Sequence, residues 1–204
     1  MSNLNHSQRD VTAGAAWLRS NFDAEIAAAV SGKPYGFEVV CGIACKETGF
    51  IWIPRRKTLR AAELLPLLVG DASGDAQNTT RKAYPKNGQV FRNDFGDAFT
   101  DMLIDEANKA RALRGLRPAK LLYKGYGIFQ YDLQHVKKDE VFFKNRLWHG
   151  IGPCLERLAL ELDRKFSASG GDTRDAIRRY NGSGARAEAY ADEVMVYVGW
   201  CGGL

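Results

Sequence analysis

The sequence predicts an α+β fold that is predominantly α-helical, with a small β region in the middle. Three observations carry this. Apolar residues recur at spacings of three and four along most of the chain. Short β-prone stretches occur near 50–53 and 121–132. Glycine- and proline-bearing breaks separate the helical segments, with no internal repeat and no low-complexity tract.

Residues 11–31 read as two short alanine-rich helices, the second running from Asp23 to Val30 and stopping at Ser31-Gly32. From Phe37, the positions Phe37, Val40, Cys41, Ala44 and Cys45 define a buried helix. It is expected to end near Thr48, with Gly49 as the left-handed residue beyond it. Phe50-Ile51-Trp52-Ile53 reads as a short strand closed by Pro54. Residues 55–70 look helical, with Pro66 as a potential interruption, and 70–93 read as a long loop or small β region. Asp94 is expected to cap a helix that buries Phe95, Phe99, Met102, Leu103, Ala110 and Leu113 and ends at Gly115 and Pro118. Leu121–Asp132 reads as extended. Pro153 opens a helix carrying Leu155, Leu158, Leu162 and Phe166. Asp172 caps a short helix through Tyr180, and a last helix turns Ala187, Tyr190, Ala191, Val194, Tyr197 and Val198 inward.

Composition bounds the function. The 204 residues are 45% hydrophobic and 26% charged, ordinary for a globular protein and unlike a disordered or collagen-like chain. No stretch approaches the roughly 18 apolar residues of a membrane span. The net charge of +5 suits solubility and equally suits an acidic partner, whether nucleic acid, anionic lipid or an anionic wall polymer. Met1–Asp10 lacks the basic region and apolar core of a secretory signal, so the chain is expected to be already trimmed, to stay in the cytosol, or to leave by another route such as phage lysis or a secretion machine. The four cysteines, Cys41, Cys45, Cys154 and Cys201, show no zinc-ribbon spacing. They read as small buried hydrophobes, with Cys41 and Cys45 on one helix face and a Cys154–Cys201 disulfide left open.

Three patches carry chemistry. In Cys45-Lys46-Glu47-Thr48-Gly49-Phe50, Glu47 extends an apolar stripe at the expected helix C-terminus. Desolvation and the helix dipole would both raise its pKa and make it a proton donor near neutral pH. Alone, Glu47 reads more readily as an ion-pair partner of Lys46, Arg55 or Arg56. In Gly125-Tyr126-Gly127-Ile128-Phe129-Gln130, the glycines permit close backbone approach and the amide suits a sugar, while a β-turn before a buried strand explains the same residues. Arg179-Tyr180-Asn181-Gly182-Ser183-Gly184 sits at a corner between two helices, where Tyr and Asn tips can face a cleft.

Taken in order, these patches resemble the goose-type lysozyme and lytic transglycosylase superfamily. There a Glu-Ser or Glu-Thr, a Gly-Leu-Met-Gln-like stretch and an Ala-Tyr-Asn-Ala-Gly-like stretch follow one another, and Ala189-Tyr190-Ala191-Asp192-Glu193-Val194 looks like the family's closing helix. The resemblance covers residues 37–52 and 121–200. It implies a single lysozyme-like domain over 1–204, with 53–118 as a large insertion of unknown role after the catalytic helix. It further implies Glu47 as the catalytic acid, later the base. Gln130 and the backbone at Gly127, Ile128 and Phe129 would line the cleft, Tyr180 would hydrogen-bond near Glu47, and Asn181 would shape the same wall. The implied substrate is the alternating N-acetylglucosamine and N-acetylmuramic acid strand of peptidoglycan, cleaved without metal or cofactor in the periplasm or cell envelope. An immunity protein, or a phage or secretion-machine component, is a candidate partner.

A hydrolase of this kind would use a second carboxylate to activate water, and Asp132 is the first candidate. A lytic transglycosylase needs one carboxyl, and the single clear glutamate favours it. A non-catalytic glycan-binding module would have no need of a carboxyl at a helix end. A nucleic-acid-binding domain would draw on Arg174, Arg178, Arg179 and Arg186, but aromatic residues are not interleaved with them as a stacking platform would require.

Overall fold

The computed structural model describes residues 4–203. In chain order its elements are α1 (Gln8–Val30), α2 (Phe37–Trp52), α3 (Ala61–Leu64), β1 (Val69–Gly70), α4 (Gly88–Phe95), α5 (Asp97–Leu113), β2 (Gly125–Tyr126), β3 (Tyr131–Asp132), α6 (Glu140–Lys144), α7 (Ile151–Ala168), α8 (Thr173–Asn181) and α9 (Ala185–Gly202). Among the described residues the protein is therefore mostly helical with one small sheet. It divides into two compact units. One comprises the described residues up to Leu59 together with those from Leu155, and the other is Arg60–Cys154.

In the first unit, α2 is the central element. Val39 through Cys45 are all buried, as are Thr48, Gly49, Ile51 and Trp52, so the helix is enclosed on more than one face. Two glycines let its neighbours come close. A Cβ on Gly42 would lie 3.0 Å from a Val198 methyl and 3.3 Å from the Val194 carbonyl oxygen, which sets the approach of α9. A Cβ on Gly14 of α1 would lie 2.8 Å from the Trp52 ring, and Trp17 stacks on that same ring at 5.3 Å. The two alanine-rich helices expected at the start form one element bent at Phe22, where φ is −144° and ψ is 21°.

The helix α2 does not stop at Thr48. Gly49 is helical and buried, with a hypothetical Cβ only 2.8 Å from His6 Nε2, so it serves close packing rather than a left-handed cap. Consequently 50–53 is not a strand; Phe50, Ile51 and Trp52 form the last turn and Ile53–Arg55 continues as a 3₁₀ turn with Pro54 near its start. The apolar, β-branched composition was overridden by packing of Ile51, Trp52 and Ile53, all buried.

In the second unit, β1, β2 and β3 form an antiparallel sheet in that order, with Gly70 opposite Gly125 and Gly125 opposite Asp132. The helix expected from Asp94 is two helices. Gly96, at φ 80°, ends α4 and begins α5, so Asp94 lies inside α4 and is not a cap. Residues 55–70 hold only the short α3, a 3₁₀ turn across Pro66, and β1. The C-terminal helices follow the sequence pattern more closely: Leu155, Leu158, Leu162 and Phe166 are all buried, and Asp172 caps α8 by accepting from the Asp175 amide at 2.6 Å.

Candidate functional site

Glu47 lies within α2, five residues before its last residue, and not at the helix C-terminus. The dipole therefore contributes less to its acidity than the sequence suggested, because that effect is confined to the terminal turn. Burial does the work instead. Although part of the residue still meets solvent, the groups packed around the carboxyl desolvate it and raise its pKa to about 7; the Tyr190 hydrogen bond and the Lys46 charge pull back against that rise. The hydroxyl of buried Tyr190, on α9, donates to Glu47 Oε1 at 2.6 Å.

Lys46, the first ion-pair partner the sequence offers Glu47, places its ammonium 2.5 Å from Glu193 Oε2. Glu193 also accepts from the Tyr197 hydroxyl at 2.5 Å and from the Asn5 amide at 3.3 Å. Burial would raise the Glu193 pKa, but the Lys46 ammonium and these hydrogen bonds more than offset it and hold the carboxyl ionised. Two adjacent α2 residues thus meet two carboxylate environments of opposite kind, one charged and satisfied, one desolvated and ready to hold a proton.

The half-buried Tyr180 sits beside this centre, its ring 6.4 Å from that of Tyr190, and burial together with the Glu47 charge raises its phenol pKa. Asn181 is the exposed last residue of α8. The sequence pointed to Tyr180 as the tyrosine near Glu47 and took Tyr190 only as an inward-facing residue of the last helix. Its position seven residues before Tyr197 signals burial, while nothing in the spacing announces which carboxyl its hydroxyl reaches.

In the second unit, Gly127 and Gln130 turn the β2–β3 hairpin at φ 78° and 52°. Gln130 Nε2 donates to the carbonyls of Leu68 at 3.1 Å and Gly127 at 2.9 Å. Its Oε1 fills the space where a Cβ on Gly125 or Gly70 would stand, at 2.4 and 2.6 Å. The motif glycines thus make room for a side chain of the same hairpin, and the Gln130 amide nitrogen is engaged by backbone. Ile128 and Phe129 are buried. Asp132 receives Arg81 Nη2 at 2.5 Å and the Gln134 amide at 2.7 Å, so it is an ion-paired cap of the next turn. Two further buried charges escaped the sequence reading. Lys124 is fully buried against Asp75, and Glu106 is buried with Arg146 at 2.8 Å and Lys109 at 2.9 Å. Burial would raise the Glu106 pKa, yet His149, Lys109 and Arg146 outweigh it and hold it at about 2.

All four cysteines are buried thiols, as the sequence suggested, and the disulfide it left open between Cys154 and Cys201 does not form. Cys201 meets Cys41, with the sulfurs 2.6 Å apart, and the sulfurs of Cys41, Cys45 and Cys201 all lie within 4.8 Å of one another. Cys154 Sγ instead donates to the Trp148 carbonyl at 3.6 Å, beneath Gly127. The helical i, i+4 spacing put Cys41 and Cys45 on the α2 face that α9 covers, which the sequence could not pair with Cys201. The arginines of α8 are engaged with acids: Arg174 with Asp192 and Glu188, Arg178 and Arg179 with Asp175. No family model, curated protein or solved structure matches the chain.

Proposed function

We propose that this protein is a peptidoglycan lytic transglycosylase of lysozyme-like fold, cleaving the β-1,4 bond between N-acetylmuramic acid and N-acetylglucosamine with Glu47 as its acid and base. The observation that carries this reading is the state of one carboxyl. Glu47 is desolvated, raised to about 7 and anchored by Tyr190, while the adjacent Lys46 is diverted to Glu193. A group of that affinity holds a proton near neutral pH and can release it to a leaving oxygen.

In the proposed reaction, Glu47 protonates the glycosidic oxygen as the bond to the muramic C1 breaks. The Glu47 carboxylate then takes the proton of the muramic C6 hydroxyl, whose oxygen closes on C1. The products are a free 4-hydroxyl on one strand and a 1,6-anhydro ring on the other; Glu47 ends protonated and no water is consumed. The tie between Asp132 and Arg81 favours this one-carboxyl route over a hydrolase that would use Asp132 on water. The polymer lies in the cell envelope, where the protein would act.

Mass spectrometry of soluble products from purified peptidoglycan tests the reading, with Glu47→Gln as control. Anhydro-muramic ends from the wild type and none from the variant are expected. Ordinary reducing ends would replace the transglycosylase by a hydrolase. Wall binding without products from either protein would replace both by a glycan-binding module.

A further inference from the structure

Outside the Glu47 centre, the first unit contains a second cluster of reactive side chains. Cys41 and Cys45 stand one turn apart on α2, and Cys201 occupies the last turn of α9, all three buried. The three sulfurs form an uneven group, with Cys41 and Cys201 in contact at 2.6 Å inside a set spanning up to 4.8 Å. A bound zinc, with Zn–S near 2.3 Å, would space its sulfurs evenly at roughly 3.8 Å. One close pair with a third thiol beside it matches a different chemistry, since a disulfide needs its sulfurs brought to about 2.05 Å.

We propose that Cys41 and Cys201 form a disulfide that fastens α9 to α2, with Cys45 left as a thiol and Cys154 outside the exchange. The oxidant is a small-molecule disulfide of the glutathione class. Cys201 thiolate attacks one sulfur of the oxidant and releases a first thiolate. Cys41 thiolate then attacks the Cys201 sulfur of the mixed disulfide and releases the second. The two released thiolates take up the two protons that the cysteines lost, so one oxidant disulfide is reduced to two thiols as one protein disulfide forms.

The surroundings suit these roles. Hydrogen bonding with Cys41 and Cys45 holds the Cys201 pKa down to about 5, while burial pushes the Cys41 thiol up. Cys201 is therefore the attacking sulfur. Exposed Gly202 and Gly203 follow it, so opening of the final helical turn suffices to admit the oxidant. The bond would join positions 160 residues apart, a span over which cross-linking removes much of the freedom of the unfolded chain. The proposal is independent of what Glu47 does.

The test is to incubate the purified chain with oxidised glutathione, count thiols in denaturant and map cross-linked peptides. The count should fall from four to two, with Cys201 joined to the peptide that holds Cys41 and Cys45. In Cys45→Ala the bridge should persist, which assigns it to Cys41. Reduction should lower the thermal midpoint of the wild type by about 10 °C and leave that of Cys201→Ala unmoved. Four persisting thiols in the folded wild type would overturn the proposal. So would a bridge through Cys154, loss of the bridge in Cys45→Ala, or a native mass carrying one zinc or copper(I) ion per chain.

Discussion

The Tyr190 hydroxyl donates to Glu47 Oε1 at 2.6 Å across 143 positions of sequence, joining the last helix to the helix that carries the proposed acid. This bond favours the ionised carboxyl and so restrains a pKa that burial drives upward. Removing the hydroxyl while keeping the ring separates the two effects. In Tyr190→Phe the Glu47 pKa should rise above 7, and the alkaline limb of the cleavage pH profile should move to higher pH. Above pH 7, where Glu47 is ionised, stability should fall by about 1.5–3 kcal/mol, typical of one hydrogen bond to a charged group. An unmoved limb would show that Tyr190 does not tune Glu47.

The same carboxyl has a pH-dependent cost. Glu47 holds its proton up to about 7 when folded, against 4.5 for the free group, so the folded state binds more protons between those values. Stability is therefore lost as pH rises from 4.5 through 7, and the full loss, about 3 kcal/mol, is present above that range. Glu47→Gln removes the ionisation and should stabilise the protein by up to that amount at pH 8, with the gain fading by pH 5. Urea unfolding at both pH values checks this, and equal effects at the two would refute it.

Asp132→Asn should leave cleavage within a few-fold of the wild type, because the amide oxygen still accepts from Gln134 and the residue has no part in the proposed reaction. Losing the partly exposed pair with Arg81 should cost about 1 kcal/mol. Initial rates on purified peptidoglycan decide it; abolished turnover in a folded variant would restore the hydrolase.

Lys124→Met should be the most damaging of these changes. Lys124 is 0% exposed and its partner Asp75 11%, so truncation leaves a carboxylate with its counter-ion gone and costs about 3–5 kcal/mol. Asp75 Oδ1 also accepts from the Gly88 amide at 2.7 Å, where α4 begins. Adding Asp75→Asn, which removes the stranded charge and keeps an acceptor for Gly88, should recover much of the loss. Denaturant midpoints of the single and double variants measure the coupling.

The parts of the fold legible in the sequence were those where one face of an element is buried and the other is wet. Leu155, Leu158, Leu162 and Phe166 of α7 show this plainly, as does the Asp172 cap. The reading failed where an element is apolar on its wet face as well as on its buried one, as with exposed Phe50 beside buried Ile51 and Trp52. The last turn of α2 is so apolar that periodicity disappears, and Phe50-Ile51-Trp52-Ile53 then passes for a strand. Gly49 and Gly96 show why single glycines mislead, since one sits in a helix for close packing and the other ends one at positive φ.

At the candidate site, Glu47 was legible because an acid interrupts an apolar stripe. Tyr190 as its partner, the diversion of Lys46 to Glu193 and the Cys41–Cys201 contact depend on how α9 lies on α2, a long-range pairing that no local spacing encodes. Gln130 illustrates the reverse case. Its motif was visible, but the crowding of its amide over Gly70 and Gly125 became visible only with the sheet register.

The unit that holds Glu47 draws on both ends of the chain, with residues up to Leu59 joined by those from Leu155. During synthesis the intervening segment 60–154 leaves the ribosome complete while α2 still lacks its partner helix. Until α9 packs on α2, the Glu47 carboxyl lacks the Tyr190 hydroxyl that meets it in the folded protein. A chain that stalls or is clipped before Tyr190 would therefore carry every motif of the first two-thirds of the sequence and still lack the hydroxyl that meets Glu47. The contact between Glu47 and Tyr190 is thus made late in synthesis.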